Sequence, residues 1–181
     1  MSIDALRAAL PGYARDLRLN LSAVLQSQHL SEQQLWGTAL AVASACRNGA
    51  VLAAVAAEAR PRLSAAAFDA ALAAASVMAM NNVYYRATHL LHDPEYGQMP
   101  ARLRMQALGS PGVDKLDFEL WCLAVSAVNG CGACLEAHAG TILHKGGSKP
   151  AVQDALRVAA VLAAAAVTVD SHRQLADAPT A

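Results

Sequence analysis

The chain has 181 residues, of which 55% are hydrophobic and 15% charged, and its 14 basic and 14 acidic residues give a formal net charge of zero. This composition suits one or two folded domains with a sizeable core, and the absence of any Lys/Arg cluster argues against a nucleic-acid surface. Much of the apolar fraction is alanine, aromatic residues make up only 4%, and few segments alternate with period two. We therefore predict an all-α protein with closely packed helices.

The first residues, MSIDALRAALPGYARDL, contain no basic segment followed by an apolar run, so we expect no signal peptide. The longest uncharged apolar run, Val158–Val169, is too short to span a bilayer. These features predict a cytoplasmic protein without membrane contact. In that compartment four cysteines are not a structural disulfide framework, and a close pair is more typical of catalysis or metal binding.

Helix start and stop signals divide the first half into five helices and a mixed region. Ser31 and Gln34 have the spacing of a capping box, and Ser64 is a good N-cap for a long helix. A short helix is expected between Pro100 and Ser110 within the turn-rich residues 83–113. The predicted bounds of the five helices are Ser2–Leu10, Tyr13–Gln26, Ser31–Arg47, Ala50–Arg60 and Ser64–Asn82.

The second half repeats this order. A helix begins at Asp114 or Asp117 and ends near Val128, a second ends at Gly146-Gly147, and a third begins at Ser148 or Pro150 and ends near Val169. The two halves align without a gap at an offset of 85 residues, which places Trp36 on Trp121, Cys46 on Cys131 and Asp69 on Asp154.

This alignment predicts a degenerate internal duplication, with halves at about 31–85 and 116–170 of a single domain spanning 1–181. The first half has Gln34, Gly49 and Ala53 at the positions of three chemically capable residues of the second half. Those three, which we therefore predict to be functional, are Glu119, Cys134 and His138.

A Cys-x-x-Cys pair follows the turn signal Asn129-Gly130 and opens a predicted helix. Cys131 and Cys134 lie about 60° apart on a helix, with His138 between them, so the three side chains share one stripe. Both thiols then lie in the first turn, where the helix dipole favours a thiolate. His138, one turn after Cys134, can accept its proton directly or through a water. The stretch is typical of a redox dithiol with its own base.

Glu119 is placed by the chain reversal at Asn129-Gly130. If the flanking helices pack antiparallel, Glu119 lies about 15 Å from the turn and His138 about 12 Å, so Glu119 comes closer to His138 than to either thiol. The predicted relay runs from Glu119 through His138 and Cys134 to Cys131, by the logic of catalytic triads. We expect Cys134 to be the activated thiol, and Cys131, exposed at the helix terminus, to form mixed disulfides with protein partners.

Simpler interpretations exist for each residue. The cysteines can be small buried hydrophobes or zinc ligands, although a fourth ligand and a second Cys-x-x-Cys are lacking. Glu119 can be a first-turn glutamate that interacts with the helix dipole, and His144 a last-turn residue. We expect no chemical role for the remaining candidates. Cys46 and Cys122 should be buried and inert, Trp36 and Trp121 should anchor the core, and His89 and His92 should lie on the surface.

The segment from Phe118 to Trp121, together with Cys131, Cys134 and His138, resembles the active-site region of the AhpD (alkyl hydroperoxide reductase D) family, within the AhpD-like/carboxymuconolactone decarboxylase superfamily. Met78–Arg86 and Leu103–Met105 match it as well, and the pattern E-x(11)-C-x-x-C-x-x-x-H is quite specific. The resemblance covers nearly the whole chain. It implies a helical homotrimer with no bound cofactor, a redox-active disulfide between Cys131 and Cys134, and a relay that includes Glu119 and His138.

The resemblance also implies an antioxidant activity. The disulfide would be reduced by dihydrolipoamide on a lipoyl-bearing 2-oxo-acid dehydrogenase component, itself served by lipoamide dehydrogenase, and the electrons would pass to the peroxiredoxin AhpC or directly to organic hydroperoxides. The best-known members carry a histidine where this chain has Ala133; we expect its loss to affect thiol pKa or partner docking and to leave the relay intact. Two alternatives remain: a lyase acting on a lactone acid, like carboxymuconolactone decarboxylase, and a non-catalytic metal-binding or interaction module.

Overall fold

The computed structural model describes residues 2–178, and in that range the chain folds into α-helices, with one short 3-10 helix at Gly12–Ala14 and no β-strand. The all-α prediction is confirmed. The helices are α1 Ile3–Ala9, α2 Arg15–Val24, α3 Glu32–Ala45, α4 Gly49–Ala59, α5 Ala65–Leu90, α6 Pro94–Gln98, α7 Gln106–Gly109, α8 Lys115–Val128, α9 Gly132–His144 and α10 Lys149–Ala176.

Serine side chains start the three helices whose beginnings were predicted from capping signals. Ser31 Oγ accepts a hydrogen bond from Gln34 N, and Gln34 Oε1 accepts one from Ser31 N, which completes the capping box of α3. Ser64 and Ser148 cap α5 and α10 in the same way, each accepting from the backbone N–H three residues later. Local sequence therefore fixes where these helices begin.

Two helices are longer than the sequence predicts. α5 continues to Leu90 instead of ending near Asn82, and α10 continues to Ala176 instead of Val169. The pair Asn81-Asn82 reads as a helix end because asparagine is a poor helix former. In the structure the Asn82 side chain is buried and bonded to Ser126 and Asn129, so tertiary contacts carry α5 past this point.

The segment after α5 also differs from its predicted form. Residues 94–98 form the short helix α6, capped by Asp93, where only turns were expected. The predicted short helix before Ser110 is present as α7, a single turn at Gln106–Gly109. Together these two pieces bring residues 93–109 back along α5, which forms one wall of the candidate site described below.

Helices α3 and α8 form the centre of the protein. Each carries an unbroken run of buried residues, 35–43 in α3 and 117–126 in α8, and they pack against each other, α5 and α10. Trp36 and Trp121 are 8% and 0% exposed, which confirms them as core anchors, and Trp121 Nε1 donates to the Gln34 carbonyl. A helix that is apolar all round is expected in such a central position.

The order α3–α4–α5 recurs as α8–α9–α10. Shifted by 85 residues, the bounds of the first three helices coincide with those of the last three to within two residues. The same-order arrangement agrees with the alignment of Trp36 on Trp121, and the duplication itself stays a prediction from the sequence.

Two helices, α5 and α10, are long and apolar enough to span a bilayer, although the sequence analysis found no such segment. Each contains an 18-residue segment apolar enough to cross a bilayer by length and composition, with mean hydropathy 1.2 and 1.6. Counting only uncharged runs missed them, because a span tolerates one or two charges. Half of the α5 segment and 39% of the α10 segment are buried inside the protein, as in core helices of soluble proteins, which pass the same test. The absence of membrane contact stays a prediction.

Gly37 offers a test of the α3–α8 contact. A Cβ built on Gly37 would lie 2.2 Å from Trp121 Cε2, so Gly37→Ala is expected to destabilise the protein by about 1–3 kcal/mol through overpacking. The matched control is Gly49→Ala in α4, where a Cβ meets nothing within 4 Å. Thermal unfolding of both variants checks this, and an equal loss of stability in the two would contradict the close contact.

Candidate active site

The Cys-x-x-Cys pair lies where the chain turns from α8 into α9. Gly130 adopts a left-handed conformation (φ +67°), which suits glycine and reverses the chain. Cys131 is the N-cap of α9, and its Sγ accepts from the backbone N–H of Cys134 at 3.3 Å. The two cysteines form a disulfide, with their Cα atoms 5.3 Å apart. Once reduced, both sulfurs lie at a helix N-terminus, where unpaired N–H groups favour a thiolate.

The exposure expected for Cys131 is wrong. Cys131 is 0% exposed, whereas Cys134 is 7% exposed and lines a cavity. The physical reason is the capping role, because an N-cap side chain folds back over the first helical turn instead of pointing to solvent. Cys134 is therefore the sulfur that faces the cavity.

Glu119 and His138 are in direct contact across the α8–α9 hairpin. Glu119 Oε2 lies 2.5 Å from His138 Nδ1, and the two side chains are 7% and 11% exposed. Antiparallel packing of α8 and α9 is what brings together residues separated by 19 positions. The other ring nitrogen, Nε2, lies 3.3 Å from Met78 Sδ on α5. The imidazole is thus held from two sides, and the relay roles of Glu119 and His138 stay predictions.

Lys115 belongs to the same cluster, although it was not predicted. Its Nζ lies 2.9 Å from Glu119 Oε1 and also donates to the carbonyl of Leu108 on α7. Lys115 precedes Glu119 by one helical turn, and this i, i+4 spacing is the sequence signal that could have revealed the pair. Lys115 therefore connects the Glu119 carboxylate to α7.

The Glu119 carboxyl is ionised at neutral pH. Burial raises its pKa, but the hydrogen bonds and positive charges of His138 and Lys115 outweigh this effect and leave the pKa below its ordinary value. An ionised Glu119 accepts the proton on Nδ1 of His138. In the neutral imidazole this leaves Nε2, the nitrogen beside Met78 Sδ, without a proton.

Lys115→Met tests the electrostatic part of this cluster. Removing the cation raises the pKa of Glu119, so the acid limb of the activity profile should move to higher pH, because the carboxylate is now lost earlier as pH falls. The rate of dithiol-driven peroxide reduction between pH 4 and 8 measures the shift. Lys145→Met, at the exposed end of α9, is the control, and an unmoved acid limb in Lys115→Met would contradict the role of Lys115.

Cys134 and His138 open into one cavity of about 370 Å³ between α5, α7 and α9. The polar side chains on its wall belong to Asn81, Tyr85, Cys134 and His138. The rest of the wall is apolar and consists of Met78, Met105, Leu108, Ala133 and Ala137. The α5 and α7 sides of the wall come from the segments around Met78–Arg86 and Leu103–Met105, the same segments that carry the family resemblance. The fold therefore brings three separated stretches of sequence to one site.

The other chemically capable residues lie elsewhere. His89 and His92 are exposed, as predicted. Cys122 is fully buried, and burial raises its pKa well above the usual range, which agrees with an inert thiol. Cys46 is only half-buried, which corrects the expectation, although burial still raises its pKa to about 11. Neither free cysteine lines the cavity of Cys134.

The fold and site define a class: a helical protein with a disulfide-bonded Cys-x-x-Cys at a helix N-terminus and a Glu–His pair beside it. Comparison with known proteins agrees with this class. Residues 94–177 match the model of the carboxymuconolactone decarboxylase family.

Full-length relatives narrow the assignment. The chain is 54% identical over 175 residues to "Alkyl hydroperoxide reductase AhpD" of Rhodospirillum centenum, an alignment that covers 97% of this chain and 94% of the relative. It is 51% identical to the protein of the same name from Streptomyces griseus (98% and 100% covered) and 57% identical to that from Frankia alni (94% and 92% covered). The chain therefore belongs to the AhpD family.

Proposed function

We propose that the protein is an antioxidant dithiol–disulfide oxidoreductase of the alkyl hydroperoxide reductase type. It would reduce organic hydroperoxides, the peroxiredoxin AhpC, or both, with electrons from dihydrolipoamide. One observation carries the proposal: the disulfide sulfur of Cys134 and the imidazole of His138 line the same cavity, and an ionised carboxylate holds that imidazole from behind. The names of the relatives support the peroxide-reducing role.

In the peroxide half-reaction, His138 Nε2 accepts the Cys134 proton. The thiolate attacks the outer oxygen of the hydroperoxide, so that an S–O bond forms and the O–O bond breaks. The alkoxide that leaves takes the proton from His138 and departs as an alcohol. Glu119 stabilises the imidazolium between these two proton transfers. Cys131 then attacks the sulfenic sulfur of Cys134, which releases water and closes the disulfide.

In the reducing half-reaction, dihydrolipoamide supplies the two electrons. One of its thiolates attacks the disulfide, a mixed disulfide forms, and the second thiol closes the lipoamide ring and releases the enzyme dithiol. Because Cys131 is covered, attack on Cys134 from the cavity is the accessible route. Transfer to AhpC would use the same chemistry in reverse, with the Cys134 thiolate attacking the oxidised peroxiredoxin.

The cavity favours organic over inorganic peroxide. Its volume of about 370 Å³ is at the lower end of the range for small-molecule pockets, and most of its wall is apolar. A hydrocarbon group on the peroxide would displace water from that wall and gain binding energy that hydrogen peroxide lacks. We propose cumene hydroperoxide or a peroxide of similar size as a suitable test substrate.

The lyase and metal-binding alternatives fit the site less well. A lactone acid carries a carboxylate, yet no arginine or lysine lines the cavity among residues 2–178. A structural zinc would need both thiolates as ligands, whereas the two sulfurs are bonded to each other. A dithiol–disulfide oxidoreductase, by contrast, requires such a disulfide as its oxidised form.

Three further features are part of the proposal. The protein would work in the reducing cytoplasm, where a disulfide that cycles is maintained by a dithiol reductant. It would assemble as a homotrimer and draw electrons from a lipoyl-bearing 2-oxo-acid dehydrogenase component and lipoamide dehydrogenase. The family resemblance supports the trimer and the source of electrons, and the cysteine usage of the sequence supports the cytoplasm. Ala133, which lies on the cavity wall between the cysteines, leaves that wall apolar at the position where the best-known members have a histidine.

The decisive assay couples cumene hydroperoxide reduction to NADH oxidation through lipoamide dehydrogenase and lipoamide, with and without a peroxiredoxin. We expect NADH loss that requires this protein and the lipoamide. A disulfide that resists dihydrolipoamide, with no turnover of peroxide, would reject the proposal. The peroxiredoxin arm separates a terminal peroxidase from an electron carrier, since only the carrier needs AhpC.

A further inference from the structure

A methionine sulfur lies among polar groups beside the candidate active site. Met78 on α5 is 1% exposed and lines the cavity of Cys134 and His138. Its Sδ lies 3.3 Å from His138 Nε2 on α9, and it accepts a hydrogen bond from Ser126 Oγ on α8 at 3.5 Å. A buried methionine normally serves to fill gaps in an apolar core. This sulfur is instead held by polar side chains from two other helices, which points to a role beyond filling space.

A chain of hydrogen bonds fixes the position of this sulfur. Asn129 Nδ2 donates to Asn82 Oδ1 at 2.9 Å, and Asn82 Nδ2 donates to Ser126 Oγ at 2.9 Å. The Ser126 hydroxyl in turn donates to Met78 Sδ. Asn82 and Ser126 are 1% and 0% exposed, so these bonds lie away from water, where a hydrogen bond is electrostatically stronger. The chain therefore connects the turn before the cysteines to the sulfur beside the imidazole.

The contact between the sulfur and the imidazole favours one protonation state. The ionised Glu119 carboxylate accepts the Nδ1–H of His138, so Nε2 is the nitrogen that gains and loses a proton. When Nε2 carries no proton, its lone pair faces a sulfur that offers only lone pairs. When Nε2 carries a proton, Met78 Sδ is an acceptor at hydrogen-bond distance. The contact therefore stabilises the imidazolium more than the neutral ring.

We propose that Met78 is a positioning residue of the relay, whose sulfur accepts the Nε2–H of the His138 imidazolium. This inference rests on the proposed peroxide-reducing function and adds a member to its proton relay. The proton leaves the Cys134 thiol, directly or through a water, and stays on Nε2 beside the sulfur until the departing alkoxide takes it. Met78 neither gains nor loses electrons, so the balance of the half-reaction is unchanged. Its effect is to stabilise the thiolate–imidazolium pair that precedes attack on the peroxide.

Other ionisable groups also face the imidazole, and the test has to leave them intact. Glu119 contacts Nδ1 from α8, and Lys115 lies behind that carboxylate. Cys134 lies on the same helix as the imidazole, and Tyr85 lines the same cavity from α5. Replacing Met78 by another apolar residue removes none of these groups and changes no charge. A change in the pH dependence of such a variant is then due to the lost sulfur contact.

The test is Met78→Leu, which keeps the volume and apolar character of the side chain and removes the sulfur. At neutral pH, oxidation of the reduced protein by cumene hydroperoxide should slow roughly three- to tenfold, the effect of one weak hydrogen bond. The profile of rate against pH should move upward by roughly half a pH unit to one unit, because the Cys134 thiolate then forms at higher pH. Met80→Leu, the same change on α5 outside the cavity, is the matched control and should keep both wild-type values.

Three further readouts separate this role from packing. Hydrogen peroxide has no hydrocarbon group to contact the cavity wall, so Met78→Leu should slow its reaction by the same factor. A residue that acts by contacting the hydrocarbon would affect cumene hydroperoxide alone. Ser126→Ala removes the donor that orients the sulfur and should shift the pH profile in the same direction by a smaller amount. The midpoint of thermal unfolding of Met78→Leu should stay within about 5 °C of the wild-type value, which shows that the variant folds.

The outcomes are distinct. A wild type that neither peroxide oxidises would overturn the proposed function and this inference with it. A reactive wild type with an equally fast Met78→Leu variant would overturn this inference alone. So would a rate loss without a shift of the pH profile, a loss confined to cumene hydroperoxide, or an equal loss in Met80→Leu.

Discussion

Cys134→Ser is expected to reduce turnover of cumene hydroperoxide by dihydrolipoamide to the rate measured without protein. A serine hydroxyl stays protonated at neutral pH and forms no disulfide, so both half-reactions lose their reacting atom. The change is nearly isosteric, and Cys134 lies at the cavity wall, so we expect the variant to fold. Loss of NADH in the lipoamide dehydrogenase assay measures the effect.

Cys46→Ser is the matched control for this prediction. It makes the same substitution at a half-buried free thiol that does not line the cavity, and it should retain full activity. Substantial activity in Cys134→Ser, or loss in both variants, would contradict the mechanism.

Cys131→Ser gives a complementary result. With Cys134 intact, the reduced variant, once separated from dithiol, should consume one equivalent of peroxide and stop, since no second thiol is present to close a disulfide. Mass spectrometry should find the sulfenic acid, or its adduct with a thiol, on Cys134. Finding the modification elsewhere would reverse the assignment of Cys134 as the attacking thiol.

Glu119→Gln is expected to slow the peroxide half-reaction by roughly 10²- to 10⁴-fold, the range of general acid–base catalysis. The amide of glutamine can donate to His138 Nδ1, which moves the imidazole proton to Nε2 and leaves no base for the Cys134 thiol. The substitution also leaves Lys115 without its carboxylate partner. Because glutamine fills the space of glutamate, the loss should be chemical and not a failure to fold.

Glu136→Gln controls for this effect. It is the same substitution on α9, two residues after Cys134, but its side chain is exposed. Stopped-flow oxidation of the reduced proteins by cumene hydroperoxide should give wild-type rates for Glu136→Gln. A Glu119→Gln variant that reacts as fast as wild type would remove the carboxylate from the relay and leave Glu119 as the structural partner of Lys115.

Local sequence determined most of the secondary structure. Capping residues such as Ser31 and Ser64 fixed helix starts, and the turn at Asn129-Gly130 fixed the break before the cysteines, because these effects act within a few residues. The late end of α5 was missed, since Asn82, where the helix was predicted to end, is held by partners 44 and 47 positions away.

The disulfide pair was visible in the sequence by itself, because Cys131 and Cys134 are neighbours on one helix. The contact of Glu119 with His138 followed from a simple assumption of antiparallel packing, since a hairpin relates positions equally distant from its turn. The sequence could not show that Cys134 faces a cavity, because that cavity forms only where α9 meets α5 and α7. Cys131 is covered for a local reason, its position as the N-cap of α9.

The chain by itself therefore determined the helical class, the helix starts and the chemistry of the Cys-x-x-Cys stretch, all set by interactions between near neighbours. Only the tertiary structure decided the cavity and the contact of Lys115 with the Leu108 carbonyl on α7. Both features arise where α5, α7, α8 and α9 meet. Contacts between helices that are far apart in the chain produce no periodic pattern in the sequence, so they cannot be predicted from it.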